Sequence, residues 1–483
     1  MGERKSKLTK VLGRTDIIAL GFGTVIGWSW VVLATTWITG AGFWGTIIGF
    51  SAGAVLIFLV GLIYVELTSA LPLSGGEMVY AYRAGGKAFG WAVGWIMSLA
   101  YLGVAAWEGI ALATAVDYLF PLPKAILLWE IAGYPVYFSW ALVGMVGGVI
   151  MLILNLFGAK PAAIFQVMAT AGIIAVGLMM LFGGITFGST ENIGPGVQSF
   201  SGILYVMLII PSMLIGFDVI PQSAEEMNIS PRDIGKTLLV CIVISFAWYM
   251  ILIVGVGFSA PAEIRMSGVL PTADVMAYAY GNERFGLIIV VGGILGILTS
   301  WNGFFMGATR LIFAMGRAKM LPDIFGRLGR RYKTPWAAIL LVGLICILTP
   351  LLGKNALIWL VNISSICALI AYCCQPLSFL LLRKKEPELN RPIHLPMGVV
   401  GGTMIFILTV AYLALYLYMA LNGKSYLHEG RVIGVWLVLG LVLYWFSTSR
   451  ARMVSAAQME QLVFGENLAR ERVEEAMKNH EEK

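Results

Sequence analysis

The chain has 483 residues, of which 59% are hydrophobic and only 12% are charged. Soluble domains carry roughly 25% charged residues, so this composition excludes a soluble globular enzyme, a disordered protein and a nucleic-acid-binding protein. The net charge of +7 accompanies an excess of glycine, 57 residues in all. A chain of this kind is expected to have lipid as its main solvent.

Twelve apolar segments follow one another along the chain, and each is long enough to cross a bilayer as a helix of about 20 residues. We therefore predict an all-α polytopic membrane protein with twelve transmembrane helices. The segments lie at 16–39, 42–70, 88–119, 136–157, 161–187, 202–222, 236–260, 285–315, 336–353, 355–382, 397–421 and 430–449.

Basic residues between the segments predict the orientation. If the N-terminus lies inside and the loops alternate, 27 of the 33 Lys and Arg residues face the cytoplasm. The positive-inside rule then places both termini in the cytoplasm and the protein in the cytoplasmic membrane. Residues 450–483 combine apolar residues at helical spacing with many charges, which predicts a cytoplasmic amphipathic tail.

The first segment contains Gly21, Gly23 and Gly27 at the depth of the bilayer centre. Each glycine costs a helix about 1 kcal/mol relative to alanine. The sixth segment contains Pro211 and Pro221, and a proline inside a helix removes a backbone hydrogen-bond donor. Both segments are therefore predicted to break in mid-membrane.

Both predicted breaks contain the string Ile-Gly-aromatic, as Ile26–Trp28 and as Ile215–Phe217. Backbone that leaves a helix inside a bilayer must face protein or a wet cavity, where half-helix N-termini favour anions and C-terminal ends favour cations. Because the breaks fall in the first and sixth segments, they indicate two inverted repeats of five helices.

Five strings carry a family resemblance, over about residues 15 to 450. They are Gly21–Ser29, Tyr64–Leu67, Leu71–Gly76, Gly216–Ile234 and Ser300–Arg317. In these strings the chain resembles the amino acid–polyamine–organocation (APC) permease superfamily.

The resemblance implies a secondary transporter that works by alternating access, with ten core helices in two inverted repeats plus two more. It divides the chain into a cytoplasmic N-terminus, two repeats, helices 11 and 12, and the tail. These units are 1–15, 16–190, 191–382, 383–449 and 450–483.

The resemblance also implies the substrate site. The substrate carboxylate is expected at the amides of Gly27, Trp28 and Ser29, and its ammonium at carbonyls of both broken helices, with Phe217 covering it. We add Glu108 as a group facing a substrate cation. The expected substrate-binding residues are Gly23, Ile26, Gly27, Trp28, Ser29, Glu108, Ile215, Gly216 and Phe217.

Acids inside a membrane cost about 2.5–3.5 kcal/mol on insertion scales and are candidates for function. Glu66 either forms a hydrogen bond within the helix bundle or takes part in transport. Glu108 binds a cation, carries a proton or forms a structural pair. Asp218 lies just after the second break, where capping of the following half-helix is favoured over ion coupling.

Thr299 and Ser300 resemble the paired hydroxyls that ligate sodium in sodium-coupled relatives of this fold, although such hydroxyls also bond back to their own helix. The coupling ion is expected to be Na⁺ or H⁺, with Glu66, Glu108, Asp218, Thr299 and Ser300 as candidates. With three histidines in loops and the tail, and cysteines without metal-binding spacing, we expect no metal, no cofactor and no catalytic residue.

The leading hypothesis is a permease for a small amino acid, driven by an ion gradient or by exchange. An amine or organocation permease and a nutrient sensor without transport stay open as alternatives, whereas a membrane enzyme is not expected. The expected partners are a small-molecule substrate and the lipid bilayer, without nucleic acid, and the protein is a monomer or a homodimer.

Overall fold

The fold is that of a computed structural model, and it is mostly helical. The structure describes residues 8–131, 133–194, 196–266, 270–423, 427–451 and 461–464. The predicted amphipathic tail at 450–483 lies outside the described residues apart from 450, 451 and the helical turn at 461–464.

The described residues of the first half of the chain form seven helices and one hairpin. In order they are α1 (Arg14–Val25), α2 (Ser29–Ala41), α3 (Phe43–Ala70), α4 (Gly76–Gly85), α5 (Lys87–Leu119), β1 (Leu127–Ile131), β2 (Tyr134–Tyr137), α6 (Phe138–Leu156) and α7 (Ala159–Phe187).

Where the structure describes the second half, it forms ten helices, with short 3₁₀ turns at Thr190–Ile193, Ala224–Glu226 and Thr349–Leu352. They are α8 (Phe200–Met213), α9 (Val219–Gln222), α10 (Pro231–Ser259), α11 (Ala262–Arg265), α12 (Pro271–Tyr280), α13 (Glu283–Arg317), α14 (Trp336–Leu348), α15 (Ala356–Lys385), α16 (Gly398–Gly423) and α17 (Leu427–Ala451).

Nine helices in the described residues are long and apolar enough to cross a membrane, and α1 and α2, bent by 53° at their junction, make a tenth span if taken together. The shorter apolar helices Phe200–Met213 and Trp336–Leu352 fall in the sixth and ninth predicted segments. Each of the twelve predicted segments therefore contains at least one described helix. Nine of the segments contain a helix with the length and hydropathy required of a span, and the first segment is a tenth if α1 and α2 are counted as one span.

Helix α5 is the most enclosed span, with 89% of its most apolar window buried, whereas α16 and α17 are mostly exposed. Helix α5 packs against α13, α15 and α4. The described core is thus centred on α5 and α13, and the last two helices lie at its periphery.

The antiparallel hairpin β1–β2 was not predicted. It lies between the third and fourth segments and turns at Gly133, whose φ is +79°. Its strands are rich in aromatic and branched residues, which favour extended backbone. Trp129 Nε1 donates a 2.8 Å hydrogen bond to the carbonyl of Leu351, which ties the hairpin to the turn after α14.

Candidate functional site

The first predicted break lies between Val25, the last residue of α1, and Ser29, the first of α2. Gly27 N–H turns back to the carbonyl of Val25 instead of continuing the helix. No side chain caps the N-terminus of α2, so its first amides lack intrahelical partners and form a positive end. Gly27, Trp28 and Ser29 are partly exposed at this point.

The second break separates α8 from α9. Pro211 lies inside α8, and the helix ends only at Met213, so the break follows the proline. Gly216 has a φ of +124°, a conformation that residues with a side chain rarely adopt. The second proline, Pro221, lies within the four-residue helix α9.

The two breaks touch each other. A Cβ placed on Gly216 would lie 2.9 Å from the carbonyl carbon of Thr24 and 3.0 Å from the nitrogen of Val25. Only glycine allows this approach of backbone to backbone. Through Thr24 and Val25, the structure therefore brings the predicted site residues of the first break, Gly23 and Ile26–Ser29, next to those of the second, Ile215–Phe217.

Helix α13 supplies a third wall through its glycines. A Cβ on Gly296 would lie 2.6 Å from the carbonyl oxygen of Gly27, and one on Gly293 would collide with the ring of Trp28. A Cβ on Gly303 would collide with Thr24. The absence of side chains at these three positions lets α13 lie directly against the first break.

Glu108 reaches the first break from α5. Its side chain is fully buried, and Ser300 Oγ donates a 2.5 Å hydrogen bond to Glu108 Oε1. A Cβ on Gly27 would lie 3.6 Å from Glu108 Oε1. Glu108 Oε2 has no hydrogen-bond partner among the described residues. A carboxyl group with an unused oxygen therefore lies beside exposed backbone, an arrangement that can receive a cationic group.

Asp218 lies at the N-cap position of α9, but its side chain does not bond to that helix. Instead Asp218 Oδ1 accepts a 3.0 Å bond from Gly216 N–H, and Oδ2 accepts a 3.1 Å bond from the hydroxyl of Tyr372. Asp218 thus holds the break itself and links it to α15. The expected capping of the following half-helix does not occur in this form.

Phe217 is fully buried between two tyrosines, with ring centroids 5.4 Å from Tyr64 and 5.8 Å from Tyr372. Trp28, in contrast, is partly exposed. Of the two aromatics expected to contact the substrate, Trp28 presents accessible surface in this conformation.

Glu66 is bound in an ion-pair network. Its carboxylate lies 2.8 Å from Arg383 and 3.2 Å from Arg391, and it accepts a 2.6 Å bond from the amide of Leu395. None of these partners belongs to either break. The arrangement matches the structural alternative for Glu66 and joins α3 to α15 and the segment after it.

Thr299 Oγ1 donates to the carbonyls of Leu295 and Gly296, both in its own helix. The two predicted hydroxyls therefore differ, because Ser300 reaches across to Glu108 while Thr299 bonds back to α13. In the part of the chain that the structure describes, no group of three His, Cys, Asp or Glu side chains could hold a metal ion.

A chain of buried amides beside Gly23 was missed by sequence reasoning. Asn302 Nδ2 donates to Gln166 Oε1 at 2.8 Å, and Gln166 Nε2 donates to the carbonyls of Ala19 at 3.3 Å and Thr299 at 3.1 Å. These amides join α1, α7 and α13. The signal in the sequence was that Gln166 and Asn302 are neutral polar residues, each inside an otherwise apolar segment.

The acidic loop after α9 forms ion pairs with other elements. Glu226 binds Arg310 at 2.9 Å, Glu225 binds Arg317 at 2.5 Å, and Asp233 lies 3.4 Å from Arg14. Glu225 Oε1 also accepts the amide of Ser74. The loop therefore joins α13 and the turn before α4, whereas Asp233, in the first turn of α10, joins that helix to α1.

Glu77 was also missed. It lies fully buried in the first turn of α4, where its carboxyl accepts a 3.4 Å bond from Tyr101 Oη and another from Gln222 Nε2. The available signal was an acid directly after Gly76, the last residue of the Leu71–Gly76 string.

Several known proteins are similar in sequence to this chain. The sequence model of the family described as "Amino acid permease" matches residues 12–444. A methylthioribose transporter of Bacillus subtilis is 25% identical over 94% of this chain and 96% of the relative. The branched-chain amino acid permease BcaP of the same organism is 26% identical over 91% and 93%, and its aspartate-proton symporter 26% identical over 84% and 79%.

Proposed function

We propose that this chain, which belongs to the amino acid permease family, moves a small amino acid across the cytoplasmic membrane by alternating access. The family consists of transporters, and the chain is a multi-pass membrane protein of mostly helical structure. The observation that carries the proposal is the first break, where an uncapped helix end and a carboxyl with an unused oxygen lie side by side.

We propose that α8 and the Trp336–Leu352 helix complete twelve spans together with the nine long helices and the bent α1–α2 pair. Residues 16–190 and 191–382 then form two inverted repeats, each opened by a broken helix, and 383–449 forms the last two helices. The contact between Gly216 and Thr24 supports this arrangement, because equivalent breaks of inverted repeats meet at the midplane.

Both termini are proposed to lie in the cytoplasm. The support is the distribution of 27 of 33 Lys and Arg residues to one side when the loops alternate. The Glu225–Arg317 and Glu226–Arg310 pairs would then lie on the cytoplasmic side, where a network between α13 and the loop after α9 holds that face closed.

The two ends of an amino acid match the two features of the first break. A substrate carboxylate would accept bonds from the free amides at the start of α2, where the helix dipole favours an anion. A substrate ammonium would face Glu108 Oε2, which lacks a partner among the described residues. The face of Trp28 is an additional surface for a cation.

A permease for an amine without a carboxylate is a second candidate, and Glu108 is the observation that favours it. The relatives do not decide between an amino acid and an amine as the substrate. They are named as a branched-chain amino acid permease, an aspartate-proton symporter and a methylthioribose transporter. Coupling to Na⁺ or H⁺, or exchange, is likewise a proposal.

The test begins with ligand binding. The purified full chain is heated with each of the twenty standard L-amino acids, with the corresponding decarboxylated amines and with methylthioribose, in the presence and absence of Na⁺ and at two pH values. A ligand that binds the folded state raises the unfolding temperature by mass action. Amino acids should stabilise the protein, and their decarboxylated amines should not.

Flux then separates transport from sensing. Proteoliposomes loaded with the stabilising amino acid are tested for uptake of its radiolabelled form, with protein-free vesicles as the control. Uptake of any such solute supports a transporter. Stabilisation without uptake or exchange would favour a sensor, and stabilisation by amines alone would replace the amino acid by an organocation.

A further inference from the structure

Two buried carboxyl groups belong to one cluster of polar side chains at the second break. Glu77 of α4 and Asp218 of the α8–α9 junction are both fully buried. Glu77 accepts a hydrogen bond from Gln222, which lies one helical turn after Asp218 in the chain. Neither forms a salt bridge with any Lys, Arg or His among the described residues, so neither has a cation to balance it.

Each oxygen of the pair accepts a hydrogen bond from a neutral group. Glu77 accepts from Tyr101 Oη and Gln222 Nε2, and Asp218 accepts from Tyr372 Oη and Gly216 N–H. These donors come from α5, α9, α15 and the break itself. The cluster is therefore built around the two carboxyls, but it contains no positive charge.

The basic side chains on the surrounding elements have other partners. Arg310 and Arg317 of α13 pair with Glu226 and Glu225, and Arg383 of α15 pairs with Glu66. Others are Arg83 with Glu386, Arg14 with Asp233, Lys160 with Asp16, Lys385 on the carbonyl of Ala84 and Lys87 over the ring of Tyr444. Lys384 of α15 and Arg284 of α13 lie exposed near the ends of their helices, outside the buried cluster.

Two polar atoms at the cluster lack partners. Gln222 Oε1 and Tyr64 Oη have no hydrogen-bond partner among the described residues, although both side chains are fully buried. Gln222 already holds Glu77 through its other amide atom. The cluster therefore has an acceptor without a donor directly beside a carboxyl group.

A proton supplies what the cluster lacks. Burial without a neighbouring cation disfavours the charged form of a carboxyl group, and a second carboxylate close by disfavours it further. A proton on the pair removes one charge and provides a donor. Gln222 Oε1 receives that donor once the amide turns by 180°, since the O and N positions of an amide are assigned from the hydrogen-bond network.

We propose that Glu77 and Asp218 together form a binding site for one proton, and that this is the coupling ion of the transporter. This inference rests on the proposed transport function. Asp218 holds the amide of Gly216 at the point where the second break contacts the first. Binding or release of the proton therefore changes the charge of the carboxyl pair to which the amide of Gly216 in the second break is hydrogen-bonded.

Infrared difference spectroscopy of the purified full chain tests the site without any substrate. A protonated carboxyl group has its own carbonyl stretching band, which disappears when the group ionises. Wild-type protein should lose one such band as the pH rises. Glu77→Gln and Asp218→Asn should each shift the titration of the remaining carboxyl to lower pH, because the neighbouring charge is gone. The double variant should lose the band.

The control is Glu191→Gln, an exposed glutamate on the 3₁₀ turn Thr190–Ile193, which should leave the spectra unchanged. Thermal unfolding of each variant verifies that it is folded, and Glu77→Asp, which keeps the carboxyl, should retain the band if Glu77→Gln is unstable. A wild-type band that neither the single variants nor the double variant alters would overturn the proposal.

Proton movement links the site to transport. Proteoliposomes containing the pH dye pyranine receive the twenty standard L-amino acids from outside. The wild type and Glu191→Gln should acidify the lumen, and the double variant should not. Acidification by the double variant would reject this site as the coupling site. If no amino acid enters even the wild-type vesicles, the proposed function fails, while the infrared titration still decides whether the pair binds a proton.

Discussion

Ser300 Oγ donates a 2.5 Å hydrogen bond to Glu108 Oε1, which joins α13 to α5 beside the first break. The same two side chains are the nearest atoms to a Cβ placed on Gly27, at 3.3 Å from Ser300 Oγ and 3.6 Å from Glu108 Oε1. The second oxygen of Glu108 has no hydrogen-bond partner among the described residues, so a substrate proposed to bind at this break would lie beside both groups.

Glu108→Gln should weaken the binding of cationic substrates more than that of neutral ones. The glutamine keeps the shape and a hydrogen-bonding group but removes the negative charge, and loss of one partner from a buried charge pair costs about 2–5 kcal/mol. We expect at least about a tenfold rise in the dissociation constant of a cationic ligand, or roughly 1.4 kcal/mol.

The measurement is isothermal titration of purified protein with the amino acids and amines that stabilise it. The matched control for the loss of one carboxylate is Glu191→Gln, on the turn Thr190–Ile193, which has no buried residue. Equal weakening of neutral and cationic ligands by Glu108→Gln would assign this residue a structural role.

Gly216→Ala should destabilise the protein. The φ of +124° is unfavourable for alanine, which costs of the order of 1–3 kcal/mol, and the new methyl group would lie 2.9 Å from the Thr24 carbonyl carbon. The unfolding temperature in detergent is the measurement.

Gly158→Ala separates the two causes, because Gly158 has a similar φ, +115°, but its added Cβ would lie no closer than 3.9 Å to its neighbours. We expect a smaller loss of stability there. Equal losses of stability in the two variants would mean that the unfavourable φ accounts for the whole effect and that the close contact between the breaks adds no further cost.

Gly296→Ala should weaken substrate binding while leaving most of the fold intact. Its methyl group would lie 2.6 Å from the carbonyl oxygen of Gly27 and would push the first break away from α13. A displacement of 1 Å in a binding site is enough to cost about a hundredfold in activity. Radiolabelled uptake into proteoliposomes is the measurement.

The control is Gly434→Ala in α17, where a Cβ would meet open space; alanine in an exposed helix is, if anything, favourable by about 1 kcal/mol. Full activity of Gly296→Ala would show that the backbone of the first break tolerates displacement.

Glu226→Gln should be strongly destabilising because it leaves the fully buried Arg310 without its carboxylate. Removing one partner of a buried ion pair typically costs about 3–5 kcal/mol, whereas replacing both by apolar residues is often nearly neutral. The double variant Glu226→Leu with Arg310→Met should therefore recover most of the lost stability.

The comparison is Asp323→Asn, which breaks the exposed pair between Asp323 and Lys319 and should cost at most about 0.5 kcal/mol. Unfolding in a denaturant series measures all four proteins. If the double variant is as unstable as Glu226→Gln alone, the Glu226–Arg310 pair stabilises the fold through the particular contacts of its side chains. Cancellation of the two buried charges would then not be the main effect.

Much of the architecture could be predicted because the period and length of apolar segments are local properties of the chain. Each of the twelve predicted segments contains a helix or a pair of helices, and the first break falls at Ile26–Trp28 as the glycines indicated. The second break was placed correctly at Gly216 although Pro211 itself remains helical. A proline weakens a helix, but surrounding helices can still supply enough packing to continue it for two residues.

The side-chain partners could not be predicted in the same way. Glu66, Glu108 and Asp218 looked alike in the sequence, as single acids in apolar surroundings. In the structure Glu66 binds two arginines, Glu108 binds one hydroxyl, and Asp218 binds a tyrosine and the break. Glu77 drew no attention because it lies outside the apolar segments, and the hairpin β1–β2 has too few residues for a clear alternation.

The sequence by itself determined that this chain is a membrane protein, where its helices lie and where two of them are interrupted. Those properties depend on neighbouring residues, through hydropathy, helix propensity and the missing donors of proline. The tertiary structure decided which polar groups meet. Contacts such as Ser300 with Glu108, Gly216 with Thr24 and Glu77 with Gln222 join residues 145 to 192 positions apart, and only the packing of α5, α9 and α13 around the breaks brings them within reach.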